Sequence, residues 1–186
     1  MKKMLVVLLL LAPTVVWGQN GDFQPRLNIH EQWISKSDFG IGAWQNVPDF
    51  TREGPFRALF VAGPAYKTKG FWVEVMGGGF LDTEGRFDPV LNVRSVTKFG
   101  RFNLFNEALY ATEARTLLLD PNLTFQVKGP FWIGLESDLL FKRGRNNLGF
   151  GPRVVLKFSS HATLALGYQR HTVGSHVLRS YFTLTF

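Results

Sequence analysis

The chain has 186 residues, of which 45% are hydrophobic, with 18 Phe, 5 Trp, 4 Tyr and 19 Gly, no Cys, and a net charge of +7. That length suits one domain, and the lack of Cys excludes disulfide stapling and thiolate chemistry. The basic balance invites nucleic acid as a partner, but no basic helix or stacking motif accompanies it, and that class is set aside.

Met1-Lys2-Lys3 is a short basic start, Met4 to Ala12 is apolar, and Thr14 to Gly18 supplies a small residue before Gln19. This three-part layout is that of a secretory signal peptide over residues 1–18, too short to cross a bilayer as a helix. Without Lys2 and Lys3 the net charge falls to +5. No Cys follows the leader, which excludes a lipoprotein anchor. No later apolar run approaches the length of a membrane helix, so a membrane span would have to be built from strands.

The next stretch, residues 19–54, is the least regular. Leu27–Val47 predicts one strand, but His30-Glu31-Gln32 and Ser35–Asp38 break its pattern, leaving a short outer helix or two strands as alternatives. From residue 55 to 186 strands are predicted at Phe56–Tyr66, Phe71–Phe80, Val90–Lys98, Arg101–Tyr110, Leu119–Lys128, Phe131–Phe141, Leu148–Phe158, Ala162–Gln169 and Leu178–Phe186. Most have the length of about 9 to 11 residues that a tilted strand needs to cross a membrane. Side chains on a strand alternate between faces. Phe131, Ile133, Leu135, Leu139 and Phe141 therefore oppose Trp132, Gly134, Glu136, Asp138 and Lys142, and the two following strands alternate in the same way.

Short turns (67–70, 99–100, 129–130, 159–160) alternate with longer connections (81–88, 111–118, 142–147, 170–176). Aromatics gather at two levels. Tyr66, Phe71, Phe99, Phe102, Phe131, Phe158 and Phe186 lie beside the short turns, and Phe56, Phe80, Tyr110, Phe141, Phe150 and Tyr168 beside the long ones. The last strand carries Leu178, Phe182, Leu184 and Phe186 on one face and Arg179, Tyr181, Thr183 and Thr185 on the other.

A leader, alternating strands, two aromatic levels and a terminal Phe together resemble small Gram-negative outer-membrane β-barrels. The resemblance covers nearly the whole mature chain. It implies an all-β fold, one antiparallel up-and-down barrel of about ten strands (eight or twelve being the neighbouring counts), with both termini at the periplasmic rim. It also implies outer-membrane lipid and lipopolysaccharide as surroundings, and a last strand (Tyr181, Phe182, Leu184, Phe186) read by the barrel-assembly machinery. The polar face then lines the lumen with Arg57, Glu74, Arg94, Arg101, Glu107, Glu136, Asp138, Arg153, Lys157 and Arg179. A barrel of this size is filled by its own side chains, so a largely blocked lumen is expected, with a narrow pore as the alternative.

No cofactor or metal is expected: His30, His161, His171 and His176 lack ligand spacing apart from the last two. His171, Ser175 and His176 share a predicted outer loop. Some lipid A deacylases are small barrels with a His-x-Ser-Asn motif, which this chain lacks in both spacing and Asn, so a non-enzymatic protein is expected and a lipid A-modifying enzyme is the alternative. Arg115, Lys142, Arg143, Arg145 and Arg170 would stand at the outer rim, where guanidinium and ammonium groups can bind lipopolysaccharide phosphate.

Overall fold

The computed structural model describes residues 23–48 and 57–186, so the leader expected over residues 1–18 and the girdle residue Phe56 lie outside the described residues. Twelve strands follow in order: β1 (Phe23–Ile34), β2 (Phe39–Pro48), β3 (Arg57–Thr68), β4 (Phe71–Asp82), β5 (Phe87–Phe99), β6 (Phe102–Ala111), β7 (Thr116–Leu119), β8 (Asn122–Lys128), β9 (Phe131–Lys142), β10 (Arg145–Lys157), β11 (Ala162–His171) and β12 (His176–Thr185). β9 pairs with β10 and β12 returns to β1, so the sheet closes and no edge is left open. β7 and β8 share one position, because both lie between β6 and β9. Asp120-Pro121 separates them, since Pro121 has no N–H to give to the ladder. Twelve strands thus fill eleven positions, against an expected ten.

Every pairing is antiparallel except the seam. There β1 and β12 run the same way, with Phe23 beside Leu178 and His30 beside Thr185. Parity is the cause: hairpins reverse direction at each step, so in an odd ring the first and last strands are parallel. The extra strand comes from the 27–47 stretch, which is two strands rather than one. They are joined by a turn at 35–38, where Asp38 takes a φ of 66° and the Ser35 hydroxyl donates to the Phe39 carbonyl. The expectation of both ends at one rim is therefore corrected. Phe23 begins at the rim opposite Phe186, whose N–H donates to the His30 carbonyl at 2.9 Å.

The expected contrast of short and long connections is reduced: 69–70, 100–101 and 129–130 are two residues against four at 83–86, 112–115 and 172–175, but 143–144 is also two and 158–161 is four. Pairing continues past the point where alternation ends, as Arg145 with Lys142 and Arg170 with His176 show. The turn between β9 and β10 is left with only Arg143-Gly144, Gly144 taking a φ of 77° that a side chain would strain. The connection at 49–56 lies outside the described residues.

Alternation sets two faces. Leu91, Val93, Ile133, Leu135 and Leu166 are exposed on the outside, while Asn92, Arg94, Glu136 and Gln169 are buried inside. Among the described outward positions of all twelve strands the charged residues are Glu31, Arg170 and, past the β8 bulge, Lys128, whose register partner is the outward Phe131. Phe39, Phe71, Phe99, Phe102, Phe131, Phe158 and Phe186 are exposed near the carboxy-terminal rim, and Phe87, Tyr110, Phe150 and Tyr168 near the other. Phe80 does not belong to that second level. It faces inward, against a buried cluster of Trp44, Leu59, Val61, Met76, Val90, Leu109 and Ala111. The lumen is thus apolar on the β2–β7 side toward the upper rim, and polar on the side of β9–β12 and β1.

The parallel seam is open to a direct check, because the chain has no Cys of its own. Leu27 and Phe182 are register partners on the outer face. Leu27→Cys with Phe182→Cys should oxidise to a disulfide-linked barrel, seen as a mobility change between reducing and non-reducing gels. Ile29→Cys with Phe182→Cys, two residues out of register, should stay reduced. The opposite outcome would mean that the barrel closes on different strands.

Candidate lumenal site

Two carboxylates are held inside the barrel by the same device. Glu74 on β4 and Glu136 on β9 are 0% and 1% exposed, and each reaches over a neighbouring strand to a glycine on the next. A Cβ on Gly42 of β2 would overlap the Glu74 carboxylate, and one on Gly167 of β11 would overlap that of Glu136. Glycine is required there for close approach rather than for a turn. Glu74 Oε1 accepts from Gln32 Nε2 at 2.6 Å and from His30 Nε2 at 2.8 Å, both on β1. Glu136 Oε2 accepts from Arg153 Nη1 on β10 at 3.2 Å.

The remaining charges are arranged around these two. The Arg94 guanidinium lies 3.5 Å from the Trp44 ring centre and 3.6 Å from Glu107 Oε1. That separation is an ion pair without a hydrogen bond, and the Glu107 oxygen instead accepts from Asn92 Nδ2 at 2.7 Å. Arg179 donates to Gln169 Oε1 at 2.7 Å and sits 2.5 Å from Asp138. Arg57 approaches Asp88 at 3.8 Å, and the Lys157 ammonium lies 4.1 Å from the Trp132 ring centre. Nine of the ten residues expected in the lumen face it. Arg101 is the correction: it sits in the turn before β6, over the outward Phe125 ring, and donates to the Val127 carbonyl.

Between the charged groups lie two cavities. The larger, about 430 Å³, is bounded by Arg26, Trp44, Arg94, Glu107, Asp120 and Tyr181 among others. The smaller, about 340 Å³, lies toward the upper rim and includes Asp138, His171, Ser175 and Arg179 in its wall. Arg26 and Leu118 border both, so the cavities are stacked. The lumen is crossed by side chains but is not solid.

The structure separates the residues expected in one outer loop. His171 is the last residue of β11, points inward and is buried, and neither of its ring nitrogens has a hydrogen-bond partner. Ser175 borders the same cavity without bonding to that ring. Asp138 is occupied by Arg179. His176 points outward and meets the Tyr168 hydroxyl. No nucleophile–base hydrogen bond is formed.

The basic residues fare differently. Lys142, Arg143, Arg145, Arg115 and Arg170 are all exposed at the upper rim, where Thr116, next to Arg115, pairs with Lys142, and Lys142 with Arg145. None has a carboxylate within 4 Å among the described residues. On β12, Phe182, Leu184 and Phe186 face outward as expected, with Tyr181 turned into the lumen.

Sequence reasoning missed the whole polar side of β1, although alternate positions Gln24, Arg26, Asn28, His30 and Gln32 are all polar. The polar run His30-Glu31-Gln32, with Glu31 on the opposite face, hid that pattern. Asp120 falls inside the predicted strand Leu119–Lys128 with the inward parity of Asn122 and Thr124, but it was not counted among the lumen charges. Comparison with protein-family models and with curated proteins finds no match.

Removing one partner of a buried pair leaves an uncompensated charge and costs about 3–5 kcal/mol, whereas replacing both by apolar groups costs much less. Glu136→Ala should therefore destabilise the barrel by about 3–5 kcal/mol in urea refolding into lipid vesicles. Glu136→Met with Arg153→Met should destabilise it less than Glu136→Ala alone. Strict additivity of the single Met changes would show that the two side chains are not coupled.

Proposed function

We propose that the chain is an integral outer-membrane β-barrel without enzymatic activity, whose charged lumen does not conduct and whose basic rim holds lipopolysaccharide. The observation that carries this is the inversion of the two faces. A soluble carrier barrel puts its apolar face inward around a ligand. Here Leu135, Leu91 and Val75 are 64%, 61% and 52% exposed on the outside, while Glu74, Asn92 and Glu136 are buried within. An apolar belt round the entire barrel far exceeds the few hundred Å² that soluble monomers expose. Its two aromatic levels suit the two faces of a membrane, and a charge facing lipid at mid-height would cost about 2–4 kcal/mol.

The contacts that bridge strands across the lumen, the Glu74–His30 hydrogen bond above all, oppose free passage of solutes. The rim cluster of Arg115, Lys142, Arg143 and Arg145 lies at the end of β7, β9 and β10. Its donors have no carboxylate partner among the described residues and suit phosphate on an adjacent lipid.

The full chain, expressed with its leader and fractionated, should appear in the outer membrane as a band that shifts on boiling in SDS. Lipopolysaccharide phosphate should co-purify with it, and Lys142→Gln, Arg143→Gln and Arg145→Gln together should lower that phosphate several-fold. A periplasmic protein without a heat shift would overturn the membrane reading. An unchanged phosphate content would overturn the lipopolysaccharide contact alone.

A further inference from the structure

Among the described residues three lumen charges have no opposite charge within 4 Å: Arg26, Asp120 and Lys157, whose ammonium lies over the Trp132 ring instead. Arg94, Arg153, Arg179 and Arg57 each have a carboxylate within 4 Å, and Arg26 has none among the described residues. Likewise Glu107, Glu136 and Asp138 each have a guanidinium within 4 Å and Glu74 has the His30 ring, while Asp120 has neither among the described residues. Lys157 borders the cavity of about 430 Å³, a size typical of small-molecule sites, and so do the oppositely charged Arg26 and Asp120.

They come from opposite walls. Arg26 is on β1, and Asp120 lies between β7 and β8, a position six steps from β1 one way round the ring and five the other. Each is supported by a neighbour that strengthens its field. Arg26 and Arg153 flank the Tyr181 ring at 5.5 and 4.8 Å, and the Nε of each is buried without a hydrogen-bond partner. Asp120 and Glu107 exchange both backbone hydrogen bonds across β6 and β7, so their carboxylates project side by side into the cavity. Like charges placed in this way repel unless a cation joins them. Next to the acids the wall is apolar, formed by Leu59, Phe80, Leu109 and Leu118.

We infer that this cavity is a binding site for a small zwitterion with an apolar body, such as an apolar amino acid or a short apolar peptide. Its carboxylate would lie on Arg26 and Arg153, its ammonium on Asp120 and Glu107, and its apolar part against Leu109 and Leu118. The site depends on the closed barrel and not on where the barrel resides. An unmatched charge inside the lumen is costly, and one zwitterion would give Arg26 and Asp120 each an opposite charge without changing the net charge of the lumen.

Trp44 and Trp72 border the cavity and report on it. The full chain, refolded in the non-ionic detergent octyl glucoside and checked by heat shift, would be titrated with leucine, Leu-Leu, N-acetylleucine and leucine amide while Trp emission is followed. Leucine or Leu-Leu should give a saturable change, and which of them binds more tightly distinguishes amino acid from peptide. N-acetylleucine lacks the ammonium and leucine amide lacks the carboxylate, so each should bind at least ten-fold more weakly. Arg26→Gln and Asp120→Asn should each weaken the zwitterion at least ten-fold. Equal affinity for all four compounds, or no saturable change with any, would overturn the proposal, and neither result requires a variant to fold.

Discussion

Closure of the sheet is the constraint on which the rest of this protein depends. A ring of strands leaves no open row of backbone donors and acceptors, so the outer surface can be almost wholly apolar. Leu91, Val93, Ile133 and Leu135 stand exposed there without a polar neighbour to cover them. Closure also fixes the parity of the chain. Eleven positions force β1 and β12 into a parallel seam, and that seam places the start of β1 and the end of β12 at opposite rims. The amide of Phe186 completes the seam by pairing with His30, so the last residue of the chain is part of the ring.

The interior must then be filled from one residue in two, and it is filled unevenly. On one side Leu59, Val61, Met76, Val90 and Leu109 pack as an ordinary apolar core. Below it on β4–β6 and on the opposite wall, charged groups tie strands together over distances that adjacent pairing cannot reach. Glu74 links β4 to β1 over Gly42, and Glu136 extends from β9 over Gly167 of β11. The glycines matter because a carboxylate lies where their side chains would be. This division gives the cavity its character, since it opens between the apolar wall and the charged one.

Much of this was legible in the chain, for a simple reason. Period-two alternation needs no knowledge of partners, so the faces of β9, β10 and β11 and nine of ten lumen charges follow from counting. What depends on pairing was not legible. The run His30-Glu31-Gln32, with Glu31 on the outer face, concealed the alternation of β1, and with it Arg26 and His30, and left the second strand as only one of the alternatives. Strand ends were misjudged because Arg145 and His176 continue the ladder without continuing the hydrophobic pattern. Phe80 was assigned to an aromatic level by its position near a turn, yet its parity with Glu74 and Met76 already placed it inside. Arg101 failed for the opposite reason, since a turn residue has no parity to obey.

The central claim is that the apolar face looks at lipid and the charged face at the lumen. Nitroxide labels at single cysteines test it most directly, since no native Cys interferes. Labels at Val93 and Leu135 on the outer face should collide freely with oxygen and poorly with a water-soluble nickel chelate when the barrel is in lipid vesicles. Labels at the inward Ala165 and Thr124 should be shielded from oxygen. Ready access of the nickel chelate to Val93 and Leu135 would mean that the apolar face meets water, and would contradict the account.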